Sequence, residues 1–308
     1  MIKFFSTILF ALIYIPLAAS AGPTIMTSIK PVAMLIKAVV GDEIPVEVLL
    51  SGNVSPHDYK LKFSDIRAIR SADFFVWVGP GLESHLSKAV ENYPSANVIQ
   101  LTTLNNIRWP ETNILGHQED THNHKNYHSL VAEGQDSNLY NLDPHLWLNP
   151  ENSLQVVSEL KRILSHRYPE YKAVFEQNVD IFSVLLKAMD GELKEKFRQV
   201  KERGFIVEHD GYGHFIEHYG LRQLGIIDVM ESVSITARHR ARLETLSVNA
   251  TCIFTYPQRN NKIADQLAEK FELSSRELDV MGRNVSLGQD SYIEFFNDFS
   301  ATVLTCLE

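Results

Sequence analysis

The sequence predicts an α/β protein of two lobes, each built on a mainly parallel sheet and joined by a long rigid backbone helix. Three observations predict it. Short runs rich in β-branched and aromatic residues alternate with longer helical patterns from residue 24 onward, and a second such series begins after residue 200. Between the two series, the apolar positions that follow Pro169 keep helical spacing for about 30 residues. The 308 residues are 44% hydrophobic and 22% charged, enough for one large core or two smaller ones, which excludes disorder as the main state.

Residues 1–21 read as a secretory signal. Lys3 supplies the positive start, the run from Phe4 to Ala18 is apolar, and Ala19-Ser20-Ala21 is a small-x-small cleavage site, so the mature chain starts near Gly22. The apolar run is shorter than the ~20 residues a spanning helix needs, which weighs against an uncleaved anchor. With no Cys at the cleavage point to take a lipid, a soluble exported protein is expected.

In the N-terminal lobe, residues 22–168, strands are predicted at 24–28, 46–50, 74–78 and 98–101, with helices from Pro31, Ser64 and Leu82 between them. Residues 111–142 are too long for an ordinary connection and carry His117, His122, His124 and His128 among polar residues, so they read as a mobile loop. A linking helix is predicted over 169–203: Pro169 suits a first turn, and Tyr171, Val174, Phe175, Val179, Phe182, Leu185 and Leu186 follow helical spacing. In the C-terminal lobe, residues 204–308, strands are predicted at 205–208, 224–227, 251–255 and 277–280, with helices from His214, Arg238, Lys262 and Tyr292.

Lys plus Arg number 29 against 38 Asp plus Glu, a net charge of -9, which argues against nucleic acid or an anionic membrane surface as the main partner. Two Cys are too few for a disulfide scaffold or a Cys-based zinc finger, so any metal must use imidazole and carboxylate, and the chain has 12 His. In an oxidising compartment Cys252 and Cys306 are expected to pair, two buried free thiols being the alternative. Closing that loop of about 55 residues adds roughly 4 kcal/mol in the chain-entropy account and pins the last helix to a strand of the C-terminal lobe.

Three histidines stand out by position. His57 follows a predicted strand in Ser51-Gly-Asn-Val-Ser-Pro-His57, His145 sits in Asp143-Pro144-His145-Leu146-Trp147, and His209 ends the run Phe205-Ile-Val-Glu-His209. In doubly wound sheets strand ends and their loops face the ligand crevice. Taken singly, each His suits a structural hydrogen bond; together, three neutral imidazoles from separate segments suit Zn²⁺ and leave a coordination position open. Asp279, after the last predicted strand, offers a fourth ligand or, equally, caps the following turn or orients a ligand.

The blocks Ser55-Pro-His57-Asp58-Tyr59, Phe75-Val-Trp-Val-Gly-Pro80, Asp143-Pro-His145-Leu-Trp147-Leu-Asn-Pro150 and His209-Asp-Gly-Tyr-Gly-His-Phe215 occur in this order across the mature chain. In them the sequence resembles the periplasmic zinc-binding proteins of bacterial ABC importers, the cluster A-I metal-binding solute-binding proteins. The resemblance implies high-affinity Zn²⁺ capture between two lobes, delivery to an inner-membrane ABC permease, monomeric action in the periplasm and ligation by His57, His145 and His209. The His-bearing loop is implied as an auxiliary weak metal site. In manganese- and iron-binding relatives a carboxylate replaces the third His, so His209 argues for zinc, although Cu²⁺ and Ni²⁺ compete for such a set. Two departures stand out. Pro56 occupies the place where some zinc members carry a ligand Glu, and Tyr256 stands where an acidic residue is expected.

Two other function classes are weighed against this carrier. His214-Phe-Ile-Glu217-His218 spells the inverted zinc-metallopeptidase motif, which on a helix puts two His on one face. No third ligand follows it, and with many His a chance match is easy, so His214 and His218 are expected on the helix surface. A surface adhesin is the other class; no exposed aromatic repeat or tandem module favours it.

Overall fold

A computed structural model describes residues 23–50, 52–94, 97–111, 142–228, 235–257 and 262–308. The signal segment and the four loop histidines at 117, 122, 124 and 128 lie outside the described residues. Within them the predicted architecture is present: two four-stranded parallel sheets and a long helix between them. The first contains β1 (Ile25–Thr27), β2 (Val46–Val48), β3 (Phe74–Trp77) and β4 (Val98–Gln100) in the order β2-β1-β3-β4. The second contains β5 (Gly204–His209), β6 (Arg222–Asp228), β7 (Ala250–Thr255) and β8 (Ser274–Glu277) in the order β6-β5-β7-β8. The two sheets therefore share one topology, with the direction of winding reversing beside β1 and beside β5. Such reversals open a crevice at the carboxyl ends of the strands.

Helices cover both faces of the sheets. In the first lobe these are α1 (Lys30–Val40), α2 (Phe63–Ser71) and the short α3 (Ser87–Glu91), then α4 (Pro150–Arg167). The backbone helix α5 (Lys172–Val200) follows, and the second lobe adds α6 (Gly213–Tyr219), α7 (Ala237–Ser247), α8 (Lys262–Phe271) and α9 (Ser291–Leu307). Nine of the eleven residues of α1 are buried, so it is apolar almost all round and sits inside the molecule rather than on it. Gly41, at φ 56, ends it by accepting a left-handed conformation and donating its N–H to the Lys37 carbonyl. No helix among the described residues is long and apolar enough to cross a membrane.

The linking helix begins three residues later than the sequence suggests, because Pro169–Tyr171 form a 3₁₀ turn first. Its 29 residues span roughly 44 Å, and Phe175, Val179, Phe182, Leu186, Met189, Leu193 and Phe197 form one buried stripe facing α1, α4 and α9. Gly191 does not interrupt it, since the outer face there is open. Two elements differ from the sequence reading. No helix was expected over α4, whose start is set by Pro150 and by the Asn149 side chain accepting from the N–H groups of Glu151 and Asn152. The last strand lies at Ser274–Glu277, not 277–280. Leu278, Val280 and Met281 are apolar because they are buried in the turn beyond the strand, not because they belong to it.

One continuous apolar core runs from Ile25 through α1, Trp147 and α5 to Leu307, so the lobes are fused through their interiors. Polar contacts fasten the join. Trp147 Nε1 donates to the Val280 carbonyl at 3.0 Å, Tyr292 Oη donates to the Trp147 carbonyl at 2.7 Å, and Asn178 Nδ2 donates to the Val39 carbonyl at 2.9 Å. Cys252 and Cys306 form a disulfide that ties β7 to α9.

The turn after β3 is held by a fully buried acid. Glu83 Oε2 accepts from the N–H groups of Val78 and Gly79 at 3.1 and 3.0 Å. Burial raises its carboxyl to about 7, against the opposing pull of those amides. The unfolded chain releases this proton nearer 4.5, so the contribution of Glu83 to stability falls as pH rises from about 4.5 to 7, by about 3 kcal/mol in all, and is level outside that window. Glu83→Gln keeps an acceptor and removes the ionisation. In urea unfolding the variant should lose markedly less stability than wild type between pH 5 and 8; equal losses would show that Glu83 does not carry the effect.

Candidate metal centre

The three histidines singled out by the sequence meet at one point between the lobes. His57 lies in the loop after β2 and is half-buried; His145 precedes the 3₁₀ turn Leu146–Leu148 and is 2% exposed; His209 ends β5 and is 7% exposed. Their ring centroids form a nearly equilateral triangle of 5.2, 5.4 and 5.6 Å. One ring nitrogen of each lies within 4.8 Å of the others, and among the described residues this is the only group of three or more metal-binding side chains so placed. The Nε2 atoms of His145 and His209 are 3.4 Å apart. Two imidazoles bound tetrahedrally at about 2.0–2.1 Å from Zn²⁺ stand about 3.3 Å apart, so this pair already has the spacing of shared ligation.

The second layer of contacts sets which nitrogen faces inward. Asp143 Oδ1 accepts from the His145 backbone N–H at 3.0 Å and lies 2.7 Å from His145 Nδ1. Pro144 between them fixes the backbone that lets one carboxylate take both. With Nδ1 donating to the carboxylate, Nε2 presents its lone pair to the centre. Burial works to raise the Asp143 carboxyl, but the hydrogen bond and charge of His145, with His214, hold it well below the usual carboxylate range. The neighbouring Asp210 goes the other way: burial first, then the Asp143 charge, push it up to about 6. On the far side, the His209 ring stacks on Tyr256, centroids 4.9 Å apart, and the Tyr256 N–H donates to Glu208 Oε2. Tyr256 is thus an aromatic wall for His209 where an acidic neighbour was expected.

Asp279 turns both carboxylate oxygens to the chain that follows it, accepting from the N–H groups of Met281 at 2.9 Å and Arg283 at 2.7 Å. That is the turn-capping role, and Asp279 is not among the clustered ligand atoms. The expectation of a solvated His-x-x-Glu-His face is overturned. His214 is 1% exposed, with Nε2 2.9 Å from the Asp143 carbonyl and Nδ1 3.2 Å from Asn152 Nδ2. Burial lowers its basicity, and its ring braces Asp143 from behind. His218 has its side chain 5% exposed and its Nε2 2.7 Å from Asp190 Oδ1 of the backbone helix. Glu217 accepts from the Glu111 N–H. The three motif residues therefore point to three different partners. The sequence missed the cause: α6 is short and wedged against α5, so both histidines of its repeat are covered.

Gly211 is a second residue that the sequence reading did not use. A Cβ there would lie 2.8 Å from His145 Cε1 and 2.8 Å from His209 Cδ2 and Nε2, so only glycine lets the chain turn this close to both rings. The signal was available, a Gly two residues after a candidate ligand.

Residues 25–306 match the family described as ZnuA: zinc-uptake complex component A, periplasmic. The chain belongs to this family. It is 29% identical over 295 residues to the high-affinity zinc uptake system protein ZnuA of Yersinia pestis, covering 94% of this chain and 92% of that one. To the corresponding protein of Haemophilus ducreyi it is 30% identical over 291 residues, with 93% and 94% covered. A crystal structure of ZnuA superposes with a TM-score of 0.75 at 22% identity, covering 94% of this chain and all of that one, which establishes the shared two-lobe fold.

Gly211→Ala should displace both His145 and His209 while leaving the fused core untouched. Zinc affinity, read by competition with a chelator, should drop by about 10-fold or more with little change in the unfolding midpoint. Wild-type affinity in this variant would mean that the rings have slack the close packing denies.

Proposed function

We propose that this chain is a periplasmic zinc carrier that holds one Zn²⁺ between its lobes through His57, His145 and His209 and hands it to an ABC permease of the inner membrane. The observation that carries the reading is three imidazoles, from three separate segments, converging with two ε nitrogens already at shared-ligand spacing. Zn²⁺ is the substrate of this site. Three neutral nitrogen donors suit it better than Mn²⁺ or Fe²⁺, which favour harder oxygen donors. With the Asp279 oxygens engaged by backbone N–H groups, water fills the fourth position, and the cleft keeps that position open for release.

The chain works as a monomer without turnover of a substrate, exported by its first 21 residues, with lobes of residues 22–168 and 204–308 and a linking segment at 169–203. The loop histidines at 117, 122, 124 and 128 form an auxiliary weak site. A peptidase built on His214, Glu217 and His218 is disfavoured, because His214 and His218 are buried in hydrogen bonds that a metal would have to break.

His209→Ala removes one of three ligands and should weaken zinc binding by about 10-fold or more. Each imidazole must also shed a proton before it can ligate, so wild-type affinity should fall steeply as pH drops from about 7 to 5. Competitive titration at several pH values checks both. An unchanged tight site in His209→Ala, or an affinity independent of pH across that range, would rule out the three-imidazole site.

A further inference from the structure

Helix α2 turns outward a side chain that its packing does not explain. Phe63 keeps 88% of its surface in water, more than any other large apolar side chain among the described residues. Burying a phenylalanine stabilises a protein by about 1.5–3 kcal/mol, and nothing among the described residues draws that benefit. The exposure is not that of a loose end. Asp65 accepts from the Lys62 N–H at 2.8 Å and from Tyr59 Oη at 2.8 Å, which fixes the first turn of the helix. The inner face of α2 is seated too, through Ile69 against Met26, Phe75 and Trp77.

The outer face has a definite chemistry. Phe63, Arg67 and Arg70 fall at i, i+4 and i+7, one face of a helix, and all three are exposed. Lys60 and Lys62 precede them, also exposed. The only acid in residues 60–70 is Asp65, which is turned back to Tyr59 and Lys62. Lys60, Arg67 and Arg70 make no ion pair among the described residues. In a chain of net charge -9, this is an aromatic anchor inside a local cluster of positive charge.

We infer that this face docks the chain on the permease, with Phe63 entering an apolar pocket rimmed by acidic side chains. Aromatic and arginine side chains are the residue types that concentrate binding energy at protein interfaces, and surrounding cations steer encounter with an acidic partner. A protein partner fits better than a lipid surface, since the net negative charge of the whole chain opposes an anionic bilayer. The inference rests on the carrier reading and deepens it by placing the contact. His57 lies six residues before Phe63 and is the least buried of the three ligands, and Tyr59 between them is tied to Asp65. Docking here therefore acts on the segment that carries one metal ligand.

The test uses the zinc-loaded mature chain and the permease complex in nanodiscs of phosphatidylethanolamine and phosphatidylglycerol. Zinc affinity is read first by chelator competition, so a loss of docking at wild-type zinc affinity belongs to this surface alone. Phe63→Ala should leave zinc affinity and the unfolding midpoint unchanged and weaken permease binding by about 10-fold or more, with Phe63→Trp restoring it. Lys60→Glu combined with Arg67→Glu should slow association and reduce its dependence on salt. Permease binding unaltered in both variants would overturn the proposal. So would equal binding of wild type to nanodiscs without permease, lost in Phe63→Ala, which would assign the face to lipid.

Discussion

The geometry of the site depends on one buried side chain. Trp147 is fully enclosed where the lobes fuse; its indole N–H is satisfied by the Val280 carbonyl of the second lobe, and its own carbonyl accepts from Tyr292 of α9. An indole buried with an unmatched N–H costs on the order of 1–3 kcal/mol, so the two lobes are held in the register that satisfies it. His145 is two residues upstream, joined to Trp147 by a single 3₁₀ turn. What fixes the indole across the interface thus also fixes an imidazole of the first lobe against His209 of the second. A continuous core and a backbone helix running past both lobes leave little room for wide hinge motion, and the pre-set spacing of the two ε nitrogens is what such rigidity produces.

The electrostatics follow from the choice of neutral ligands. Three neutral imidazoles supply no charge, so a dication held by them alone would be poorly compensated between two largely buried rings. Compensation comes from one layer further out. The Asp143 carboxylate, held below the usual range by its hydrogen bonds from His145, lies behind one of the proposed ligands, and Asp210 stands close by with its carboxyl pushed up to about 6. A metal bound through neutral nitrogen and balanced through hydrogen bonds can be released by moving a ligand, without stripping an anion from a cation. Of the three proposed ligands, His57 is the least buried and the one that lies on a loop.

Much of this was legible in the sequence, and the reasons are local. The strand-helix alternation gave seven of the eight strands close to their observed positions, because parallel strands buried on both faces read as short β-branched runs. The three histidines could be chosen because strand ends in doubly wound sheets face the crevice. What escaped was set by tertiary contact. The stretch 277–280 looks like a strand since burial, not sheet pairing, selects its apolar residues. His214 and His218 read as a surface repeat because periodicity cannot reveal that α5 lies against α6. Asp143 stood in the quoted motif without a role, and although a Gly two residues after a candidate ligand is visible in the sequence, the two rings that its missing Cβ makes room for are not.

X-ray absorption fine structure at the zinc edge tests the central claim most directly, because it counts ligands by type on the intact, loaded chain. The geometry predicts a first shell of nitrogen and oxygen only, at about 2.0–2.1 Å, with the outer-shell scattering of three imidazoles and one further light atom. A shell with one imidazole or none, or one dominated by carboxylate oxygen, would contradict the account, since it would place zinc somewhere other than between His57, His145 and His209.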